Sequence, residues 1–328
     1  FELSPFSKYE IKGEKAYEEL QRLCTANIKN EIGKCTYTHM LNEGAGIETD
    51  LTVVCLEKNH FRIISSAAVR THDKAHILKH LSKDIEFKDV TDDLVCLGVF
   101  GPKSRDLLSK ITEEDLSNEN FKFGTGKNIN LNSIDVWAQR LSYVGELGFE
   151  LYIEKKDAKE IYNSIITAGE EFKLSHCGAH AMDTMRMESG FLHWGHDISP
   201  EENQYQAGLN FAISYKKPFD FIGKKALEKI KSNKIDRRFA MFVLKENKPG
   251  IPLLLHEEPI YLENKIIGKT TSGNYSFNYN KNISFGYVNT ELSNDELKDK
   301  KIYIEIEKQK YLAEVLFEPL KQSDYKLI

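Results

Sequence analysis

Two textures of apolar patterning divide the chain. Up to about residue 190, short alternating runs give way repeatedly to amphipathic ones. FSKYEI, Phe6 to Ile11, alternates as a strand does, and GEKAYEELQRLCTANI then places Tyr17, Leu20, Leu23 and Cys24 on one helical stripe. The same reading predicts strands at Thr52–Val54, His60–Ile64, Ile85–Val90 and Val95–Phe100, with helices at Thr71–Leu81 and KSRDLLSKI. Between Asn128 and Ile153 two strand-like runs flank a glycine turn, Gly145 to Gly148, and helices follow at Asp157–Phe172 and Gly178–Ser189. This is an α+β pattern with no repeat of fixed period. From Arg238 onward, RFAMFVL, PIYLENKIIGKT, FGYVN, KIYIEIE and YLAEVLF are short alternating strands without a convincing helix, the pattern of a small β-barrel or sandwich. The charged stretch Lys229 to Arg238 marks the boundary, giving a domain over 1–230 and another over 238–328.

Three stretches could carry chemistry. In YTHMLNEGAGIETDLTVVCL, Tyr37 to Leu56, a glycine-rich turn feeds a β-branched run that follows directly on Asp50. An acid at the mouth of a strand is rigidly held beside an accessible loop, although such a residue also serves as a solvated strand end. In Tyr143-Val144-Gly145-Glu146-Leu147-Gly148-Phe149-Glu150, a double-glycine turn brings an aromatic and two acids together. Glu150 enters a strand beside Phe149 and Leu151, and a half-desolvated carboxylate needs donors. A planar heterocycle with adjacent N–H groups, such as a pterin or guanine, would supply them; so would a lysine or Arg140. Arg186, among methionines at a helix end, needs an acidic partner: Glu188, another carboxylate of the fold, or a ligand acid.

Composition narrows the classes. At 328 residues with 41% hydrophobic and 29% charged content, the chain has ordinary globular proportions and room for two or three packed units. A net charge of −5 supplies no basic field for nucleic acid, and no apolar run approaches the roughly 18 residues of a membrane span. The N-terminal stretch has no apolar signal core, which suggests a cytoplasmic setting, and Phe at position 1 suggests a processed chain or a piece of a longer one. The five cysteines form no CxxC pair and read as reduced. His72, His76 and His80 share a helix face, but without HExxH and among lysines they read as solvated, so no metal is expected. GKTTSG at Gly268 lacks P-loop spacing, and no GxGxxG occurs.

Taken together, NEGAGIETDLTVV, YVGELGFELYI, MRMESGFLHWGHDI, QYQAGLNFAI with DFIGKKAL, and GKTTSGNYSF with FGYV resemble the tetrahydrofolate-dependent aminomethyltransferases typified by the glycine-cleavage T-protein. The segments stand in family order over nearly the whole chain. Finer features resemble the folate half of dimethylglycine and sarcosine dehydrogenases: the opening FELSPFSKYEI, Gly-Glu-Leu-Gly in place of Gly-Glu-Asp-Gly, and Thr49-Asp50 in place of Asp-Asp. The resemblance implies two α/β lobes and a C-terminal barrel around a folate site. It further implies Asp50 in the catalytic role, Glu150 and Tyr143 on the pterin, and Arg186 on folate or on the pocket acids. Ser66 stands at a position where T-proteins commonly carry a folate-contacting Asn. The implied reaction is one-carbon transfer from an amine to tetrahydrofolate. A small amine donor with a flavin-containing dehydrogenase half, or a lipoyl carrier protein, would then be a partner. Alternatives are a folate-dependent demethylase acting on another methyl donor and a non-catalytic folate-binding domain. The Cys-Tyr-x-Gly-Gln-Glu motif of the iron–sulfur maintenance branch is absent.

Overall fold

In the computed structural model, which describes residues 1–246, 248–321 and 324–327, two antiparallel sheets and a closed barrel meet at one junction. The first sheet is built from β1 (Ser7–Lys12), β2 (Cys35–Leu41), β3 (Ile47–Glu57), β4 (His60–Ser65) and β5 (Glu86–Asp89), in the order β2-β3-β4-β1-β5. Alternate residues Leu51, Val53 and Cys55 of β3, with Phe61 and Ile63 of β4, pack under helices α1 (Ala16–Leu23) and α2 (Arg70–His80) through Leu20, Leu23 and Ile77. The intervening residues, among them Tyr37, His39, Asp50 and Arg62, therefore lie on the opposite face.

The second sheet runs β6-β9-β8-β7, from β6 (Leu94–Phe100), β7 (Gly126–Leu131), β8 (Ile134–Gln139) and β9 (Gly148–Glu154). One face buries Val99, Val136, Phe149 and Leu151 against α3 (Ser104–Leu108) and α4 (Ala158–Gly169). The other presents Cys96, Trp137 and Tyr152, which pack in one cluster with Leu3, Phe6 and Ile64 of the first half. The two sheets thus face each other through the sides not used for their helices.

Helix α5 (Ala179–Glu188) leads through a loop segment to α6 (Lys224–Lys231) and then to the barrel. Its strands are β10 (Arg237–Leu244), β11 (Pro259–Leu262), β12 (Lys265–Ser276), β13 (Lys281–Asn289), β14 (Ile302–Ile306) and β15 (Gln309–Leu316), closing as β10-β13-β12-β11-β14-β15. Closure removes sheet edges, and Ala240, Phe242, Ile260, Val288 and Ile304 fill its interior. The barrel region does hold one helix that alternation does not reveal, α7 (Asn294–Lys298). Ser293 accepts from the Glu296 backbone while Glu296 reaches back to Ser293, a capping box that five residues need to stay helical. Ser293→Ala is expected to cost about 1 kcal/mol, read as a lower denaturant midpoint with an unchanged slope.

Other boundaries moved for physical reasons. The helix expected over residues 13–28 is confined to Ala16–Leu23, because Lys217 Nζ takes the carbonyls of Gln21, Cys24 and Ala26 at its end. The region 128–153 holds three strands rather than two, since Asn132 and Ser133 turn β7 directly into β8 with positive φ of 48° and 73°.

Candidate active site

Asp50 is not at the mouth of its strand as the sequence suggests. It is the fourth residue of the eleven-residue β3, directly opposite His39 on β2. The strand starts early because Asn42 folds the glycine turn back on itself, its Oδ1 accepting from the backbone N–H of Gly44 and Gly46. Thr49 then points to the helix side, where its hydroxyl donates to buried Asp73 at 3.3 Å, and Asp50 to the sheet–sheet side. There its Oδ1 lies 3.5 Å from His39 Nε2 and makes no hydrogen bond among the described residues. His39 is held uncharged by burial, its pKa pushed down to about 3, so it offers no cation to Asp50. Burial pushes the Asp50 carboxyl up to about 7; a hydrogen bond from Tyr37 opposes the shift and the Asp73 carboxylate adds to it.

Glu150, on β9, sits opposite Gln139 of β8 and Gly98 of β6. Its partner is neither a lysine nor Arg140: the Tyr152 hydroxyl donates to it at 2.8 Å, while Arg140 donates to the Phe121 carbonyl at 2.8 Å. Burial pushes this carboxyl up to about 7 as well. Beside it, Gln139 is fully buried, with Oε1 accepting from Cys35 Sγ at 3.6 Å and Nε2 without a partner among the described residues. Trp137 Nε1 on the same sheet face is also unmatched.

Strand β2 joins the two acids. Cys35 and Tyr37 alternate onto one face; the first contacts Gln139 and feels the Glu150 charge, and the second lies beside Asp50 with its hydroxyl 3.2 Å from His39 Nε2. Tyr37 keeps 38% of its surface accessible and stacks on exposed Phe211, with ring centroids 6.0 Å apart. Asp50 keeps 16% of its side chain accessible. Both groups are thus partly reachable by water yet desolvated enough to lift the carboxyl.

Tyr143 forms a wall of this region. Its ring stacks on Phe191 at 6.0 Å and meets Phe6 edge-on at 6.5 Å, and its hydroxyl donates to the Leu192 carbonyl at 2.9 Å. Arg186 is placed differently. Only 2% exposed, it donates to Asp183 Oδ1 at 2.8 Å, Asp197 Oδ2 at 2.5 Å, the Phe191 carbonyl at 3.0 Å and Ser272 Oγ at 2.8 Å. Those acceptors engage every face of the guanidinium, so it ties α5 and the following loop to β12 of the barrel. Glu188, considered above as its partner, instead accepts from Ser276 and Asn278 of the barrel at 2.6 and 2.7 Å. Ser66 precedes α2, and its carbonyl accepts from Ser7 Oγ at 3.1 Å.

Of the sequence-predicted residues, Asp50 on β3 and Glu150 on β9 lie on the sheet faces turned away from the helices, Tyr143 packs on Phe191 and Phe6, Arg186 joins α5 to the barrel, and Ser66 caps the short turn Ala67–Val69 before α2. The sequence does not single out Tyr37, His39 or Gln139 as site residues. Alternation in CTYTHML marks β2, and with it the shared face of Tyr37 and His39; only strand pairing brings Gln139 to Glu150. Among the described residues no group of three His, Cys, Asp or Glu side chains could hold a metal ion, and no helix is long and apolar enough to cross a membrane. His72 is paired with Glu48 and Asp73 at 3.0 and 3.2 Å rather than simply solvated.

The fold is thus an α+β body carrying two buried acids on the inner faces of its sheets, followed by a closed six-stranded barrel. Two family models match it in turn: the GCVT N-terminal domain over residues 1–217 and the glycine cleavage T-protein C-terminal barrel domain over residues 237–321. The chain belongs to the glycine-cleavage T-protein family, a folate-binding aminomethyltransferase family. It is 36% identical over 322 residues to mitochondrial dimethylglycine dehydrogenase from Homo sapiens, covering 97% of this chain but 36% of that protein. It is 30% identical over 331 residues to an aminomethyltransferase from Alkaliphilus metalliredigens, covering 99% of this chain and 87% of that one. The crystal structure of glycine cleavage system aminomethyltransferase T from Bartonella henselae superposes with a TM-score of 0.85 at 23% identity, over 98% of this chain and 86% of that one, and shows the same fold. The chain spans about a third of the length of the dehydrogenases it matches.

Proposed function

We propose that this chain transfers a one-carbon unit from an amine donor, presented as an aminomethyl group or an iminium, to tetrahydrofolate, giving 5,10-methylenetetrahydrofolate. The observation that carries the reading is the Asp50 carboxylate, desolvated inside the cleft with one oxygen unmatched and a pKa raised to about 7. The unmatched atoms of Asp50, Gln139 and Trp137 fit a polar heterocycle bearing both donors and acceptors. Bound tetrahydrofolate supplies the nucleophilic nitrogens that take up the carbon. Asp50 accepts a proton released as the new nitrogen–carbon bond forms and returns it to the leaving amine as the donor's own bond to that carbon breaks, and its charge opposes the positive charge building there. Glu150 takes the adjacent N–H groups of the pterin edge, and Tyr143 packs beside the ring. Arg186 acts as a strut and Ser66 as an outlying contact. The two sheets hold the reactants together and keep water from an electrophilic carbon.

A flavin-containing dehydrogenase half or a lipoyl carrier protein would deliver the carbon; the names of the relatives include both dehydrogenases and an aminomethyltransferase. Calorimetric titration of tetrahydrofolate under reducing conditions tests the reading. Saturable binding near one site per chain is expected, weakened about ten- to a hundredfold in Glu150→Ala by loss of a charge-assisted contact. No binding to the folded wild type would sink the proposal.

A further inference from the structure

Gln139 is a buried amide with one end committed and the other free. It is fully buried, its Oε1 accepts from Cys35 Sγ at 3.6 Å, and its Nε2 has no partner among the described residues. Leaving an amide N–H₂ buried and unmatched costs on the order of 1–3 kcal/mol, so such a group calls for an acceptor that the described residues do not supply. Its place in the sheet says where that acceptor lies. Gln139 and Glu150 are directly paired across β8 and β9, so their side chains leave the same sheet face about 5 Å apart at Cβ. Gly126, paired with Gln139 on β7, leaves the space on the other side: a Cβ there would come within 3.1 Å of Gln139 Cγ and 3.0 Å of Trp137.

A carboxylate beside an amide N–H₂ presents acceptor, acceptor, donor in a row. The complementary edge reads donor, donor, acceptor: an amino group, a ring N–H and a carbonyl. A 2-amino-4-oxopyrimidine fused ring has that edge, with the 2-amino and N3–H groups facing the carboxylate and O4 facing the amide.

We infer that Gln139 donates to the 4-oxo group of the bound pterin, and that the Glu150–Gln139 pair selects 4-oxo over 4-amino pteridines. This deepens the folate reading of the same cleft and rests on it. Replacing O4 by an amino group sets a donor against the Gln139 donor, and a site built around a hydrogen bond rejects an analogue that cannot make it. Gln139→Met keeps the volume and removes the donor. Gln139→Glu keeps the shape and turns the donor into an acceptor.

Competitive titration with folic acid and aminopterin, which differ at position 4 in this sense, reads the effect as a ratio of Kd values. Wild type is expected to prefer folic acid. In Gln139→Met that preference falls about three- to tenfold, the weight of one neutral hydrogen bond, and in Gln139→Glu it shifts toward aminopterin. A thermal melt of each variant confirms folding, and Gln139→Glu serves if Gln139→Met does not fold. Intact binding with an unchanged ratio in the folded variants overturns the role of Gln139 alone. Failure of wild type to bind either compound removes the pterin reading itself, and this inference with it.

Discussion

Asp50→Asn is expected to bind tetrahydrofolate within a few-fold of wild type and to lose transfer by about 10²- to 10⁴-fold, the range for removing a positioned general base. Asparagine keeps the shape and the contact with Tyr37 but can neither take a proton nor carry charge. The measurement is formation of methylenetetrahydrofolate in single turnover beside calorimetric Kd; loss of binding in parallel with turnover would make Asp50 a structural residue instead. The pH dependence has a definite sign. A base lifted to about 7 by burial is ionised only above that value, so wild-type transfer rises through pH 7 and the remnant activity of the variant does not. Stability moves the other way. Between the ordinary carboxyl value of 3.8 and about 7, the folded state holds a proton that the unfolded state has lost, so Asp50 makes folding less favourable as pH rises through that window. Asp50→Asn should therefore melt above wild type at pH 8 and lose that advantage below pH 4. A variant slowed in transfer yet more stable is what a functional strain predicts, and a structural aspartate does not.

The reach of the sequence follows from how local each feature is. The strands at Ser7–Lys12 and His60–Ser65 are legible because apolar residues alternate along them, as they do in the barrel strands, whereas the helix at Arg70–His80 buries only Asp73 and Ile77. Strand β2 hides because both of its faces are used: Met40 enters the core while Tyr37 and His39 line the cleft, so polar residues fall where alternation alone gives no weight. Asp50 stands out by its place after the glycine turn, but its position inside a paired strand depends on Asn42 tying that turn. The partners of Glu150 and Arg186 are set by pairings over long sequence distances, Gln139 from the neighbouring strand and Ser272 from the barrel, and no local pattern encodes them. Helix α7 needed only its capping box, which SNDE at 293–296 does spell out.

Arg186→Met is expected to destabilise the folded protein by about 3–5 kcal/mol, a large share of the 5–15 kcal/mol typical of a whole domain. The cost lies in what remains. Asp197 has no side-chain exposure and receives its charge-assisted bond from Arg186, with Thr271 and Ser272 on its other oxygen at 2.5 and 2.8 Å. Without the guanidinium it is a buried anion left with two hydroxyls and the His193 backbone N–H, which donates to Oδ2 at 2.9 Å, and no cation; the Tyr287 hydroxyl donates to its carbonyl at 2.8 Å on the same loop. The link between α5 and β12 is then left to the Ser276–Glu188 and Asn274–Asp183 contacts. Arg186→Lys separates a strut from a ligand contact. Lysine restores the charge but not the fork, so it recovers only part of the stability. If the guanidinium serves as a strut, the folded lysine variant binds tetrahydrofolate with little change in Kd, because all its acceptors are protein atoms. A loss of more than tenfold in a variant with a native melting profile would instead assign Arg186 to the ligand. Denaturant unfolding of both variants, followed by titration of whichever folds, decides between the two.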